Sequence, residues 1–221
     1  QKSYLQGAIA SGDSYTDVVN GAASAIEQFG MRVKSVQGMA QASKTAINQM
    51  AYSADMTATS FSDMSEALKY AGPDAHAAHQ SLHTTVSAIG QVSNAGIDGS
   101  QAGTSLRQIY QRLENPPTKG KAPNALKELG LSSKDFLDAH KNLIPIQDVF
   151  EKLDSRMKGM SRTQKGAIYS ALFGADASSV AQTLGSSYKQ MDALDKKVQN
   201  AQNMNHGQGY VAELSKKNMK S

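Results

Sequence analysis

Three histidines are spaced to share one helix face: His76, His79 and His83, at intervals of three and four. Imidazoles at that spacing could ligate a transition metal or form a pH-sensitive patch. Between them, Gln80-Ser81 reads as a helix boundary, and no Asp or Glu falls in register to complete a ligand set. The sequence therefore assigns no metal ligand and reads the imidazoles as surface decoration.

A second candidate is the glycine series Gly96-x-x-Gly99-x-x-x-Gly103, which precedes a helical pattern. A phosphate loop needs Lys and then Ser or Thr after its final glycine, whereas Thr104-Ser105 follow here. A dinucleotide-binding turn needs a preceding strand, and none is expected. The structural reading is a turn in which Gly96 and Gly99 take positive φ, Ser100 caps the next helix, and Ala102 and Gly103 let another backbone approach closely. The serines form no Gly-x-Ser-x-Gly elbow with a base behind it. The carboxylate pairs Asp135 with Asp138 and Glu151 with Asp154 are equally well read as surface charges; spacing alone is compatible with a glycosidase, but no feature favours one. No catalytic, cofactor-binding or metal residue is assigned, no cofactor or small-molecule substrate is expected, and the chain reads as a non-enzyme.

The elements that would position these residues are helical. Asp13 or Ser14 caps a helix running to Gly30, and Met31 to Ala51 reads as a longer helix with Val33, Val36, Met39, Ile47 and Met50 near one face. Ala51 to Thr59 is read as a linker or frayed end. Ser60 or Ser62 caps a helix carrying Phe61, Met64 and Leu68, which Gly72-Pro73 is expected to stop. Ser81 caps the next, with Leu82, Val86, Ile89 and Val92 on one side; the turn follows, then a helix from about Ser100 to Leu113. Asn115 to Ala122 is the clearest loop. Short helices are expected from Pro123 to Leu129, near Phe136, after Ile144-Pro145-Ile146, after Ser161 up to Gly174, and from Ala175 to Leu184 before Gly185. A last amphipathic helix carries Tyr188, Met191, Leu194, Val198 and Ala201. No segment alternates apolar and polar residues, so the fold class is all-α, with short to medium helices bundled or extended. The divisions expected are an N-terminal helical segment 1–59, a core helical region 60–174 with its exposed loop 115–122, C-terminal amphipathic helices 175–204, and a mobile polar tail 205–221.

Composition agrees. Of 221 residues, 39% are hydrophobic and 6% aromatic, with no Trp, which suits close helix packing over a sheet. The absence of cysteine excludes disulfides and Cys-based zinc sites. Apolar runs fall short of the roughly 20 residues a spanning helix needs, and no leader pattern is visible. The first residue is Gln, as expected of an internal fragment of a longer protein. The net charge of +4 is uneven: residues 1–110 carry 6 Lys/Arg against 8 Asp/Glu, and residues 111–221 carry 17 against 11. The basic half could lie near nucleic acid, but without an arginine-rich block it reads first as a solvated surface.

The stretch Ser93 to Arg107 resembles the core region of phage tail tape measure proteins. Further collinear pieces carry the likeness: Phe61 to Pro73, Thr85 to Gly90, Leu106-Arg107 through Pro116, Ala125 to Leu131, and Leu172-Phe173-Gly174. Two places depart from the family pattern. The family usually has a glycine and an acidic residue where this chain has His79 or Gln80 and His83, and a more glycine-containing turn where it has Asp138-Ala139-His140-Lys141.

The resemblance implies a structural role. The chain would be one helical portion of a ruler and scaffold around which the tail tube polymerises. It would lie in the tail lumen of the virion until DNA ejection, after residence in the host cytoplasm during assembly. Implied partners are further copies of itself, tail tube and tail-tip proteins, and transiently DNA. Its motif residues and candidate packing contacts are Asn94, Gly96, Gly99, Ser100, Ala102, Gly103, Leu106 and Arg107, with another protein's backbone expected against Ala102 and Gly103. The alternative is a peptidoglycan-hydrolase module of a tail protein, since some chains of this kind carry one.

Overall fold

A computed structural model describes residues 14–220, and among these it is all-α. Helix α1 (Tyr15–Gln28) starts where the Ser14 hydroxyl accepts the Asp17 amide at 3.1 Å, and it buries Val18, Ala22, Ala25 and Ile26. Gly30, at φ +62°, turns the chain out.

Helix α2 (Val36–Asp55) departs from expectation at both ends. Ser35 caps it through the Gly38 amide, so Val33 and Val36 lie outside the buried face and are 43% and 88% exposed. At the other end Ala51, Tyr52, Ser53 and Ala54 are buried helix and not linker. The alanines and the serine among them admit a neighbour: the Ser53 hydroxyl donates to the Val86 carbonyl at 2.7 Å, and a Cβ on Gly90 would lie 2.8 Å from that hydroxyl. Polarity misled the sequence reading there, because alanine and serine bury well where backbones come close.

Helix α3 (Phe61–Ala77), capped by Ser60, runs straight through the expected stop at Pro73. Gly72 has no Cβ to clash with the proline ring. Apolar burial on both sides of it, by Ala67, Leu68 and Ala71 before and Ala75 after, offsets the one lost backbone hydrogen bond. Gly72 itself is buried under Gln28 of α1. Helix α4 (Leu82–Ser93), capped by Ser81, is enclosed nearly all round, with Val86, Ala88, Ile89 and Val92 at 0% exposure. Helix α5 (Gly99–Glu114) lies along α3.

After a loop through Gly120 come α6 (Lys121–Glu128), starting two residues earlier than Pro123, and a 3₁₀ turn Ser133–Phe136 closed by the Ser132/Asp135 capping box. A lone antiparallel bridge pairs Leu137 with Leu143. Helix α7 (Ile146–Arg156) follows Pro145, and α8 (Arg162–Phe173) runs from a Ser161/Gln164 capping box to Gly174 at φ +89°. A 3₁₀ turn (Ala175–Ala177) leads into α9 (Ser178–Val198), in which two helical stretches join across a non-helical break at Ser187, two residues beyond the boundary expected at Gly185. Gly185 itself stays helical, two residues before the break. Its missing Cβ makes room for the Tyr169 ring, whose Cζ would lie 2.8 Å from a methyl there. The expected polar tail is also corrected. After a 3₁₀ turn Ala201–Asn203, Tyr210–Lys220 forms α10, with Tyr210, Val211 and Ala212 buried. One cluster of buried side chains runs from Val18 to Val211 and continues across positions 59, 174 and 204. No described helix is long and apolar enough to cross a membrane.

Candidate functional site: the glycine turn and helix at 93–107

Helix α4 ends through Asn94, whose amide bonds the Gly90 carbonyl at 3.1 Å, and Gly96 at φ +85° reverses the chain in open space. Gly99, at φ +54°, opens α5. Both glycines therefore take the positive φ expected of them. The cap is not Ser100, which is exposed, but Asp98. The helix starts at Gly99, which places Ser100 inside its first turn, and the Asp98 carboxylate meets the positive end of the helix dipole.

Asp98 Oδ1 accepts the Gly99 amide at 2.9 Å and the Thr59 hydroxyl at 2.6 Å, and the Ser93 hydroxyl lies 3.2 Å away. Burial alone would raise this carboxyl. The Thr59 hydroxyl, the Gly99 amide and the Asp63 and Ser93 side chains outweigh it, so its pKa sits below the ordinary carboxylate value. Asn94 Oδ1 accepts the Ala58 amide at 2.8 Å. Asn94 and Asp98 thus stitch the turn to the link between α2 and α3.

Ala102, Gly103 and Leu106 are buried. A Cβ on Gly103 would lie 2.9 Å from Ala67 Cα and 3.0 Å from its carbonyl carbon, and closer still to the carbonyl oxygen. The backbone that approaches here is α3 of this same chain, which corrects the expectation of a partner's backbone at this face. Arg107 Nε sits 3.5 Å from Asp74 Oδ2 in a half-exposed pair, a weak tether between α5 and α3. Gln108 Nε2 donates to the Phe173 carbonyl at 2.6 Å, joining α5 to the end of α8. The outer rim of the turn faces solvent: Ala95 and Ile97 line an open groove of about 650 Å³ with Met160, Arg162, Lys165 and Gln182.

The histidines border one groove but turn to different tasks. The His76 ring meets Phe29 edge-on, with centroids 6.3 Å apart. His79 ends α3 at φ +59°, and His83 Nδ1 lies 2.6 Å from Asp195 Oδ1. Among the described residues no three His, Asp or Glu side chains are placed to hold a metal ion. His79 and Lys141 (φ +64°) stand at the two departures from the family pattern, so left-handed backbone persists there without glycine. The carboxylate pairs also separate into local roles. Asp135 accepts the Ser132 amide, Asp138 accepts the amides of His140 and Asn142, and Asp154 pairs with Lys165 at 3.8 Å. The Asn142 and His140 amides hold the Asp138 carboxyl below its usual range.

One buried polar cluster escaped the sequence reading. Asp195, 6% exposed, accepts from Thr84 Oγ1 and Gln147 Nε2, each at 2.8 Å, beside His83. It joins α4, α7 and α9 through charge-assisted bonds in a dry environment. The signal was available: Asp195 stands in register with Met191 and Val198 on the apolar face of α9.

Residues 2–174 match the family of phage-related minor tail proteins. The chain is 35% identical over 152 residues to the tape measure protein of Pneumococcus phage Dp-1, covering 69% of this chain and 12% of that protein. It is 33% identical over 158 residues to the probable tape measure protein of Escherichia phage P2, covering 67% of this chain and 19% of that one. The chain thus spans less than a fifth of the length of either relative. No solved structure matches it. With more than three quarters of its residues inside one family match, the chain belongs to the phage-related minor tail protein family.

Proposed function

We propose that this chain is a segment of a tape measure protein, a structural ruler and scaffold in tail assembly that resides in the tail lumen and performs no catalysis. The observation that carries the reading is the likeness to two tape measure proteins over about two thirds of the chain. The geometry supports it in kind. The motif residues serve packing between helices, and the turn stitches α2, α3, α4 and α5 into one unit. The exposed rim at Asn94 to Ile97, beside Arg162 and Lys165, is the part of the motif left for tail tube or tail-tip proteins. Copies of the chain lie side by side in the lumen, near DNA during ejection.

The test offers purified tail tube and tail-tip proteins to the 221-residue chain and measures its own association by light scattering. Binding or self-association is expected; a strictly monomeric chain that binds none of them overturns the proposal. A zymogram on bacterial walls is expected to stay clear of lysis, and clearing would replace this reading by the hydrolase alternative.

A further inference from the structure

Helix α10 is held to α2 by a set of specific polar contacts on a small base. The Val211 amide donates to Asn48 Oδ1 at 2.9 Å, and Asn48 is itself held by its Nδ2 donating to the Lys44 carbonyl at 2.7 Å. The Tyr210 hydroxyl donates to Asp55 Oδ2 at 2.8 Å, and its ring meets Tyr52 edge-on with centroids 4.9 Å apart. Lys44 Nζ donates to the Gly207 carbonyl. Beneath these bonds the buried apolar contribution is Tyr210, Val211 and Ala212, with Leu214 half-buried. The arm rests chiefly on α2 and on the 3₁₀ turn Ala201–Asn203.

The hinge that folds α10 back is unlike any other link among the described residues. Asn205, His206, Gly207 and Gly209 all have φ between +55° and +103°. Asn205 and His206 carry side chains in the left-handed region, which costs most L-residues and which Asn and His enter more readily than others. Asn205 Nδ2 is buried without an acceptor. Gly209 passes so close to Asn48 that a Cβ there would lie 2.7 Å from the amide oxygen. Closing the arm on its own chain therefore sets Asn205 and His206 at positive φ and leaves the Asn205 amide nitrogen unpaired, while straightening residues 205–209 would relieve both and, at the loss of the Lys44–Gly207 bond, keep the contacts to Asn48, Tyr52 and Asp55.

We propose that α10 is an exchangeable arm, docking on α2 of its own chain or, with the hinge opened, on α2 of a second copy through the same Asn48, Tyr52 and Asp55 contacts. The occupant is specified by the molecule itself. The surface that fits α10 is already displayed on α2, and a second copy presents it identically, which is the condition for exchange of an element between protomers. The inference rests on the proposed reading only in that copies lie side by side, where high local concentration offsets the entropy of association. Exchange would link neighbouring copies without any new interface.

The test uses the unsubstituted 221-residue chain. Unlabelled and ¹⁵N-labelled chains are mixed unfolded, refolded together and photo-oxidised to couple adjacent tyrosines. Mass spectrometry then reads whether the Tyr52–Tyr210 link joins light to heavy chains. Full exchange places about half of these links between a light and a heavy chain, by random pairing in a dimer. Light-only and heavy-only links would overturn the proposal. Light scattering on the same sample separates the two failures: a dimer with unmixed links rejects the arm and leaves self-association standing, and a monomer rejects both. The double substitution N205G/H206G relaxes the closed hinge and is expected to lower the mixed share; an unchanged or higher share counts against the hinge argument.

Discussion

Replacing Gly103 by alanine tests the central packing of this fold. The new Cβ would meet backbone, at 2.9 Å from Ala67 Cα and 3.0 Å from its carbonyl carbon, so no side chain can rotate away to admit it. Helices α3 and α5 must separate by roughly 1 Å along their contact to restore ordinary van der Waals distances of about 3.5–4 Å. Overpacking of this kind costs about 1–3 kcal/mol, and rigid backbone places it at the upper end. Alanine returns about 1 kcal/mol through its better helix propensity. The net loss is about 2 kcal/mol. At about 2–4 °C per kcal/mol for a chain of this size, Tm falls by roughly 4–8 °C. Urea and thermal unfolding followed by far-UV circular dichroism measure it. The same substitution at Gly166 is the control: the nearest atom is 3.5 Å away, so propensity alone acts and G166A gains about 0.5–1 kcal/mol. If G103A proves as stable as the parent while G166A gains as stated, α3 and α5 do not meet as described.

Three further substitutions probe the turn, the buried cluster and a departure from the family pattern. D98A removes the α5 cap and is expected to lose about 1 kcal/mol at neutral pH. Because folding lowers the Asp98 pKa, its contribution is present above the ordinary carboxylate value and is lost as pH falls through the folded one, so urea midpoints of parent and D98N should converge in acid. D195A strands the Thr84 hydroxyl and the Gln147 amide in the interior, and the unfolding free energy should drop by about 3 kcal/mol, with D195N losing less. K141G relieves a left-handed lysine on an exposed turn and should raise the unfolding free energy by about 1 kcal/mol less the extra freedom glycine brings to the unfolded chain, read as a higher thermal midpoint.

Much of the helix framework was legible in local chemistry. Ser14, Ser60, Ser81 and Ser161 each cap the helix expected of them, because an N-cap is decided by the first few residues alone. Gly30, Gly96 and Gly174 turn the chain where expected for an equally local reason. The misreadings share another cause. Pro73 carries a stop signal that burial overrides, and Ala51 to Ala54 reads as linker because alanine and serine give little hydrophobic signal. Tyr210 and Val211 read as polar tail because their partners, Tyr52 and Asp55 for the one and Asn48 for the other, lie roughly 160 residues earlier.

The site divides along the same line. That residues 93–107 form a glycine turn leading into a helix, and that the pieces around it resemble a phage tail family, could be read from residue types and their order. Such features depend on neighbours in sequence, and resemblance needs no coordinates. What covers Gly103, and that Asp195 would gather Thr84, Gln147 and His83, were decided by tertiary structure. Each depends on which distant backbone arrives within about 4 Å, and short-range contact of that kind is fixed by the packing of whole helices and not by any one segment.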